Sequence, residues 1–425
     1  MENAPDCPDT VPHGFSENLV IARQPIFDKD MAIFGYELLF RQCDEDPCRD
    51  IVDLDQATMK MIADGFSLAT AGIDPWKKAC LNVTRDSLLS DHVMALPPDR
   101  VILEIPADAQ ADEALLAKCR ALKEMGFHLT LDNFTPHPEV DKLLELADYV
   151  KIAIPDFEGK QVARLRQELK KYPCRLIASR IETWEMFSGS KFLGFDYFQG
   201  FFFAQAEVVP GRKASTISTV RLKLIKDLSH EDIDLKALAE TISMDPSLSV
   251  RLLKFINTTA FCLLDKVDSI SRAVSILGVV PLKRWTMAAL LADSDASDKG
   301  REVTLMSLHR ALFLSSLAAA GFIKDASKDS LFLLGLLSNA DSLFGMKMEE
   351  LVADIPLEQY IKDALLLKPG SGLTDFMVLL EDIEQNDWKA ATGVLNKYRI
   401  PSVTAAKLYM QASHAASDAL AKMSG

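Results

Sequence analysis

The chain reads as two architectures in series: an α/β half carrying a mostly parallel sheet, then an all-helical half. Three observations predict this. From residue 18 to about 208, short β-branched or aromatic runs alternate with amphipathic helical stretches. Several of those runs are apolar on both faces, as in strands covered by helices on either side. Beyond residue 215 the strand-like alternation stops, and helical periodicity continues to the last residues. Repeated β–α units of this kind admit either a closed barrel or a doubly wound sheet.

The elements follow in order. Residues 1–17, rich in Pro, Asp, Asn and Ser, predict a frayed tail. The strand-like runs are LVIARQPIF, MAIFGYELLF, KKACLNV, RVILEIP, FHLTLDNF, DYVKIAI, RLIASRI and FDYFQGFFF. Phe201, Phe202 and Phe203 read as the core end of the last strand. Helical stretches such as ADEALLAKCRALKEMG and VARLRQELKKY lie between the strands, so the α/β half is set at 18–208. VVPGRKAS, with Pro, Gly and charge, predicts a linker over 209–215. Helices then fill 216–425, one of them opening with Asp245 as N-cap and Pro246 as first helical residue.

Composition bounds the function. The 425 residues are 48% hydrophobic, which excludes disorder for the bulk of the chain and suffices for cores that need no disulfide. The net charge of −14 argues against binding nucleic acid by phosphate neutralisation, and no DNA partner is expected. Cys7, Cys43, Cys48, Cys80, Cys119, Cys174 and Cys262 are odd in number, scattered and without a C-x-x-C. They read as reduced thiols of a cytoplasmic protein, and no Cys or His pair stands at zinc-ligand spacing. The N-terminal residues show no signal-peptide pattern. The longest uncharged apolar stretch, Ala311 to Ile323, is too short for a membrane span of about 20 residues.

Polar residues close most of the apolar strands: Glu37, Asn82, Glu104, Asp132, Lys151, Glu182 and Gln199. In a parallel barrel the strand C-termini converge on one rim. Glu37, Asn82, Glu104 and Asp132 there would form an oxygen-rich set for a weakly bound Mg²⁺, with Lys151 beside it. The plainer reading of an acidic residue after a strand is a helix N-cap.

QPIFDKDMAIFGYELLFR resembles the opening of EAL domains, barrel phosphodiesterases that cleave cyclic di-GMP. Gln24-Pro25-Ile26 precedes Gly35-Tyr36-Glu37-Leu38-Leu39 and Arg41, with Glu-Leu-Leu in place of the name-giving triplet. The resemblance continues in register through LNVTRDSL, VILEI, LTLDNF, YVKIAI, IASRIET and FDYFQGFFFAQA. It implies a TIM-like β/α barrel, with Gln24, Glu37, Leu39 and Arg41 touching ligand and Glu37, Asn82, Glu104 and Asp132 holding metal. Two departures matter. Asp132-Asn133 stands where the family has Asp-Asp, and Phe134-Thr135-Pro136-His137-Pro138 replaces its Gly-rich loop. Ala178-Ser179-Arg180-Ile181-Glu182 stands where it has A-E-G-V-E, so Ser179 replaces the family's proposed general base. Lys151, Glu182 and Gln199 then read as vestiges of a catalytic set broken at Asn133 and Ser179.

The helical half resembles HDOD domains, through ISMDPSLSVRLLKFINTTAF and SISRAVSILGVVPLKRW. These are relatives of HD phosphohydrolases without the His-Asp metal pair. Ser338-Asn339 falls where that pair would stand, and His309 is a half-buried or surface residue rather than a ligand. The tandem resembles bacterial EAL–HDOD signalling proteins. It implies a non-catalytic or nearly inactive signalling protein that contacts a partner through its HDOD domain and senses cyclic di-GMP in a degenerate barrel, with homodimerisation left open. The alternatives are an active Mg²⁺-dependent cyclic di-GMP phosphodiesterase and a ligand-free scaffold.

Overall fold

The computed structural model describes residues 19–42, 73–205 except 138, and 269–424 except 293, 294, 296, 356 and 386, with scattered residues between 66 and 267. At 19–21 and 40–42 it describes the backbone alone. The tail 1–17, the linker 209–215, Asp245-Pro246, Cys43 and Cys48 lie outside the described residues, and so does the Arg41 side chain.

Eight strands close a barrel in sequence order. They are β1 (Leu19–Asp28), β2 (Ile33–Gln42), β3 (Lys78–Asn82), β4 (Val101–Pro106), β5 (His128–Asp132), β6 (Tyr149–Ala153), β7 (Arg175–Ser179) and β8 (Tyr197–Gln199). From β2 to β8 every pairing is parallel, as the alternation of strands and helices predicts. The first strand departs from it: β1 is antiparallel to both β2 and β8. The turn from Asp28 to Ile33 is too short for a parallel crossover. The Asp28 carboxylate fastens this turn by accepting from the Asp30 and Ala32 amides.

Strand alternation stacks two layers inside the barrel. Ile26, Cys80, Ile102, Tyr149, Ile177 and Tyr197 form a buried apolar plug. Two residues further toward the strand C-termini the same inward face carries Asn82, Glu104, Lys151, Ser179 and Gln199, with Asp132 above Thr130. On the antiparallel first strand the step runs backward, from Ile26 to Gln24. A period of two thus places the polar strand ends in one layer at one rim. The last strand is shorter than predicted. It ends at Gln199, and Phe201–Ala204 is a 3₁₀ turn whose Phe202 and Phe203 are buried. Gly200 forces this break: its φ is 146°, and a Cβ there would lie 2.0 Å from the Ile181 carbonyl oxygen.

From residue 270 onward the described residues carry helices and no strand. The central helix, Asp298–Ala319, is capped by the Ser297 hydroxyl and packs on Lys328–Leu337 and Ser402–Ser424. Gly335 permits the first contact, since a Cβ there would sit 2.3 Å from the Ala311 amide nitrogen. The barrel and the helices share one apolar core. Polar contacts also cross between them. The Asp298 carboxylate accepts from the Ile33 amide at 2.9 Å and from Lys77 Nζ at 3.2 Å. Tyr36 Oη donates to Glu302 Oε2 at 3.1 Å, and Ser342 Oγ donates to the Phe203 carbonyl at 2.8 Å. No helix among the described residues is long and apolar enough to cross a membrane.

Candidate active site

The rim layer gathers around one ammonium. Lys151 Nζ stands 3.0 Å from Glu37 Oε2, 2.6 Å from Glu104 Oε1 and 3.7 Å from Asp132 Oδ1. Asn82 Nδ2 donates to Glu37 Oε1 at 2.6 Å. Gln199 Nε2 donates to Glu37 Oε2 at 2.6 Å and to Gln24 Oε1 at 2.7 Å. Seven strands therefore converge on a space that the sequence places only as strand ends. Lys151 and Glu104 are buried, whereas the Asp132 side chain is 16% exposed and opens toward solvent.

The charges do not balance. Three carboxylates face one ammonium in a desolvated pocket, which would leave an excess of negative charge if all three were ionised. Burial alone would raise the Glu37 carboxyl. Lys151, with hydrogen bonds from Gln199, Lys151 and Asn82, outweighs it and holds the group at about 2. Glu104 has Lys151 alone for support. Burial, then the Glu37 charge, push its carboxyl well above the ordinary range against the pull of Lys151. Burial also raises Asp132, with Lys151 opposing. The Lys151 ammonium is held charged, its burial outweighed by Glu104, Glu37 and Asp132. The contact of Glu104 with Lys151 is an ion pair by distance, yet it is poorly directed, and neither Glu104 oxygen has a hydrogen-bond partner. Thr130 Oγ1 and Gln199 Oε1 are buried without a partner as well.

These orphaned oxygens test the fit of a cation. A hard divalent ion takes carboxylate, amide and water oxygens, and this donor set supplies them. Among the described residues no three acidic, His or Cys side chains are arranged to hold an ion together as they stand. The physical reason is Lys151, whose ammonium takes the central position. The four expected metal residues are thus collected at one rim but not preassembled as a coordination shell.

The other expected residues divide. Gln24 is in the network through Gln199. Leu39 is half-buried and pairs in register with Ala22, two residues beyond Glu37 on the same face. Ser179 is buried at the end of β7, aligned with Ala153. Asn133 is exposed at φ 50° and turns its amide onto Asp132 Oδ2 at 3.1 Å. Arg180 also takes a left-handed φ, of 55°, and pairs with Asp156 at 3.3 Å on the exposed rim. Glu182 is exposed and stands outside the network. The loop after β5 is anchored, with Phe134 buried and a His137 ring nitrogen 2.8 Å from the Ala107 carbonyl oxygen. Sequence reasoning missed the contacts of Tyr36 and Lys77 with the helical half. Tyr36 lies inside the motif that locates Glu37, but no local pattern says which face a partner helix covers.

In the helical half, the segment singled out for lacking His-Asp carries a different buried centre. Arg310 donates to both Glu384 oxygens, at 2.8 and 2.5 Å, and reaches Asn339 Oδ1 at 3.4 Å. Asn339 in turn donates to Ser307 Oγ at 3.2 Å. His309 is half-buried against the Tyr409 ring, its Nε2 3.0 Å from the Tyr409 carbonyl oxygen.

Comparison with known proteins accords with both halves. Residues 86–206 match the EAL domain and residues 215–357 the HDOD domain. The uncharacterized protein YuxH of Bacillus subtilis is 31% identical over 387 residues, which span 89% of this chain and 93% of that one. The cyclic di-GMP phosphodiesterase CdgJ of Vibrio cholerae is 29% identical over 375 residues, 87% of this chain and 85% of that one. The structure of Klebsiella pneumoniae BlrP1 with manganese and cyclic di-GMP is similar over 46% of this chain and 57% of that one, at 19% identity and a TM-score of 0.38. CdgJ corrects one expectation. Asn133 and Ser179 read as losses that take the chain out of the enzymes, and a phosphodiesterase collinear with nearly all of it overturns that reading. With YuxH alike over nearly its whole length and the two domains in this order, the chain belongs to the EAL–HDOD family.

Proposed function

We propose that the barrel binds cyclic di-GMP at this rim and hydrolyses one of its phosphodiester bonds with a divalent cation. The observation that carries the reading is the unbalanced cluster. Three carboxylates surround one buried ammonium, and the Glu104 oxygens lack hydrogen bonds. Kinship with a cyclic di-GMP phosphodiesterase supports the substrate. Glu37, Asn82, Glu104 and Asp132 would hold the ion. When bound, it would supply a Lewis acid for the phosphoryl oxygens and an acidified water.

The side chains have separable roles in this proposal. Gln24 and Gln199 set the direction of Glu37 and line the approach. Asp132, whose side chain is the most open to solvent of the three carboxylates, is the one placed to receive the proton of the attacking water. This answers the loss of a carboxylate at Ser179. Lys151 remains an ammonium that faces phosphate and protonates the departing ribose oxygen. Water adds to phosphorus as the P–O bond to that oxygen breaks, which opens the ring to a linear dinucleotide. A signalling role, with a partner on the HDOD domain, follows from the same proposal, and reduced thiols suit a cytoplasmic setting.

The experiment is a timed assay of the full chain with cyclic di-GMP and Mg²⁺ or Mn²⁺, reading linear dinucleotide. Turnover that disappears in Glu37→Ala is expected. Binding without turnover in either metal would return the barrel to a sensor, and neither binding nor turnover would make it a scaffold.

A further inference from the structure

The rim is supported by two different bodies. Glu104, Asp132 and Lys151 stand on strands joined to the barrel's own crossover helices. Gln24, Glu37 and Gln199 stand on segments that the helical half grips. Gln24 and Glu37 face each other in register across the β1–β2 ribbon. Alternation turns the next residue on each strand outward, Arg23 on β1 and Tyr36 on β2. Tyr36 Oη donates to Glu302 Oε2 at 3.1 Å, and the Arg23 charge acts on the same carboxyl. Ribbon and helix are joined again where Asp298 takes the Ile33 amide, four residues before Glu37. On the far side, Gln199 leads through Gly200 into the turn whose Phe203 carbonyl is held by Ser342.

This junction is not packed solid. A cavity of about 160 Å³ lies between the two halves, lined by Arg23, Tyr36, Glu302, His309 and Tyr409 among others. Side chains beside this space have room to shift, and directed hydrogen bonds hold the ribbon there beside the shared apolar core. A displacement of the helical half would act first on Glu37 and Gln199, which stand on the segments it touches, and on Lys151 only through Glu37.

We infer that Tyr36 and Glu302 are positioning residues, through which the helical half sets the place of Glu37 and Gln24 in the active site. This rests on the proposed function for its kinetic consequence, though the mechanical link stands on the contacts alone. The link is the strand itself: Tyr36 and Glu37 share one peptide bond, one side chain in each domain's territory.

The test uses the full chain with Tyr36→Phe, Glu302→Ala and Glu302→Gln. Hydrogen exchange of residues 33–38 reads the link without any ligand. Exchange there should quicken in Tyr36→Phe and Glu302→Ala, and Glu302→Gln, which keeps an oxygen for Tyr36, should restore most protection. Hydrolysis as a function of Mn²⁺ reads the consequence. The Mn²⁺ concentration for half-maximal rate should rise about threefold to tenfold, the equilibrium effect of one hydrogen bond, with less change in rate at saturating metal. Unchanged exchange at 33–38 would overturn the inference whether or not the wild type hydrolyses cyclic di-GMP. A fall in rate at every Mn²⁺ concentration, matched by a lower thermal midpoint, would also overturn it and leave a purely structural contact. A wild-type chain that neither hydrolyses cyclic di-GMP nor binds Mn²⁺ by calorimetry would sink the proposed function, while the exchange data still decide the link.

Discussion

Each half of the molecule buries charge at its centre, and the two centres differ in kind. In the helical half Arg310 and Glu384 form a bidentate pair, one cation to one anion, with Asn339 and Ser307 extending the hydrogen bonds. In the barrel one ammonium meets three carboxylates, and Glu104 is left without a directed bond. A balanced and satisfied pair needs nothing more from outside. An unbalanced and unsatisfied cluster is relieved by taking up a proton, the direction in which the Glu104 carboxyl is pushed, or by a ligand that completes it. The contrast separates a centre that holds a fold from one that, on the proposed function, a cation completes, although both read in sequence as charged residues on apolar elements.

The largest expected effect tests the barrel. Glu104→Gln should lower hydrolysis by on the order of 10²- to 10⁴-fold, since it removes a charged donor from the reacting site. Stability should hold or rise, because the substitution relieves unneutralised charge. Rate assays beside thermal melts decide it, and a destabilised variant of normal rate would break the contrast.

The mirror experiment tests the helical half. Arg310→Met leaves Glu384 buried and unpaired and should cost about 3–5 kcal/mol in chemical denaturation. The double variant Arg310→Met/Glu384→Leu should recover much of that loss. A single variant as costly as the double would show that packing, not charge pairing, sets the value.

A smaller effect comes from the ion. At a hundredfold excess over its Kd, a divalent cation should stabilise the chain by about 2.7 kcal/mol. Melts with and without Mn²⁺ measure this, and Glu104→Gln should remove it while Arg310→Met keeps the increment. Equal increments in Glu104→Gln and the wild type would place the ion elsewhere.

The last effect is an order of events in acid. Burial, with the Tyr409 carbonyl contact opposing and the Arg310 charge assisting, holds His309 down at about 4 against an ordinary value of 6.5. The unfolded chain then binds more protons between those values, so this contribution is lost as pH falls from about 6.5 toward 4. Glu37, held at about 2 against 4.5, loses its contribution only lower, as pH falls from about 4.5 toward 2. Glu104 has the opposite sign. Its raised carboxyl takes a proton more readily in the fold, which blunts the acid loss in the barrel. Hydrogen exchange at stepped pH should show the helical half loosening first, and His309→Asn should flatten that first limb.

Much of the site was legible because a strand has a period of two and a parallel barrel has one chemical rim. Asn82, Glu104, Asp132, Lys151 and Gln199 could be set on that rim from their places at strand ends. Asn133 and Ser179 could be seen to change chemistry, but not to abolish it. Whether a reaction survives depends on which other group can take the proton, and Asp132 became a candidate only through its open edge. Phe201–Phe203 misled because a run of aromatics looks like strand, while the close approach of Gly200 to Ile181 turns the chain.

By itself the sequence determined the order of the elements, the succession of an α/β half by a helical half, and the identity of the polar strand ends. These are written in local periodicity, which any segment displays without its neighbours. Only the tertiary structure decided that β1 runs antiparallel, that Lys151 centres the carboxylates, and that Tyr36 reaches Glu302 across 266 positions of sequence. Each of these is a contact between segments far apart in the chain. Its geometry follows from barrel closure and helix packing, which no local window of residues encodes.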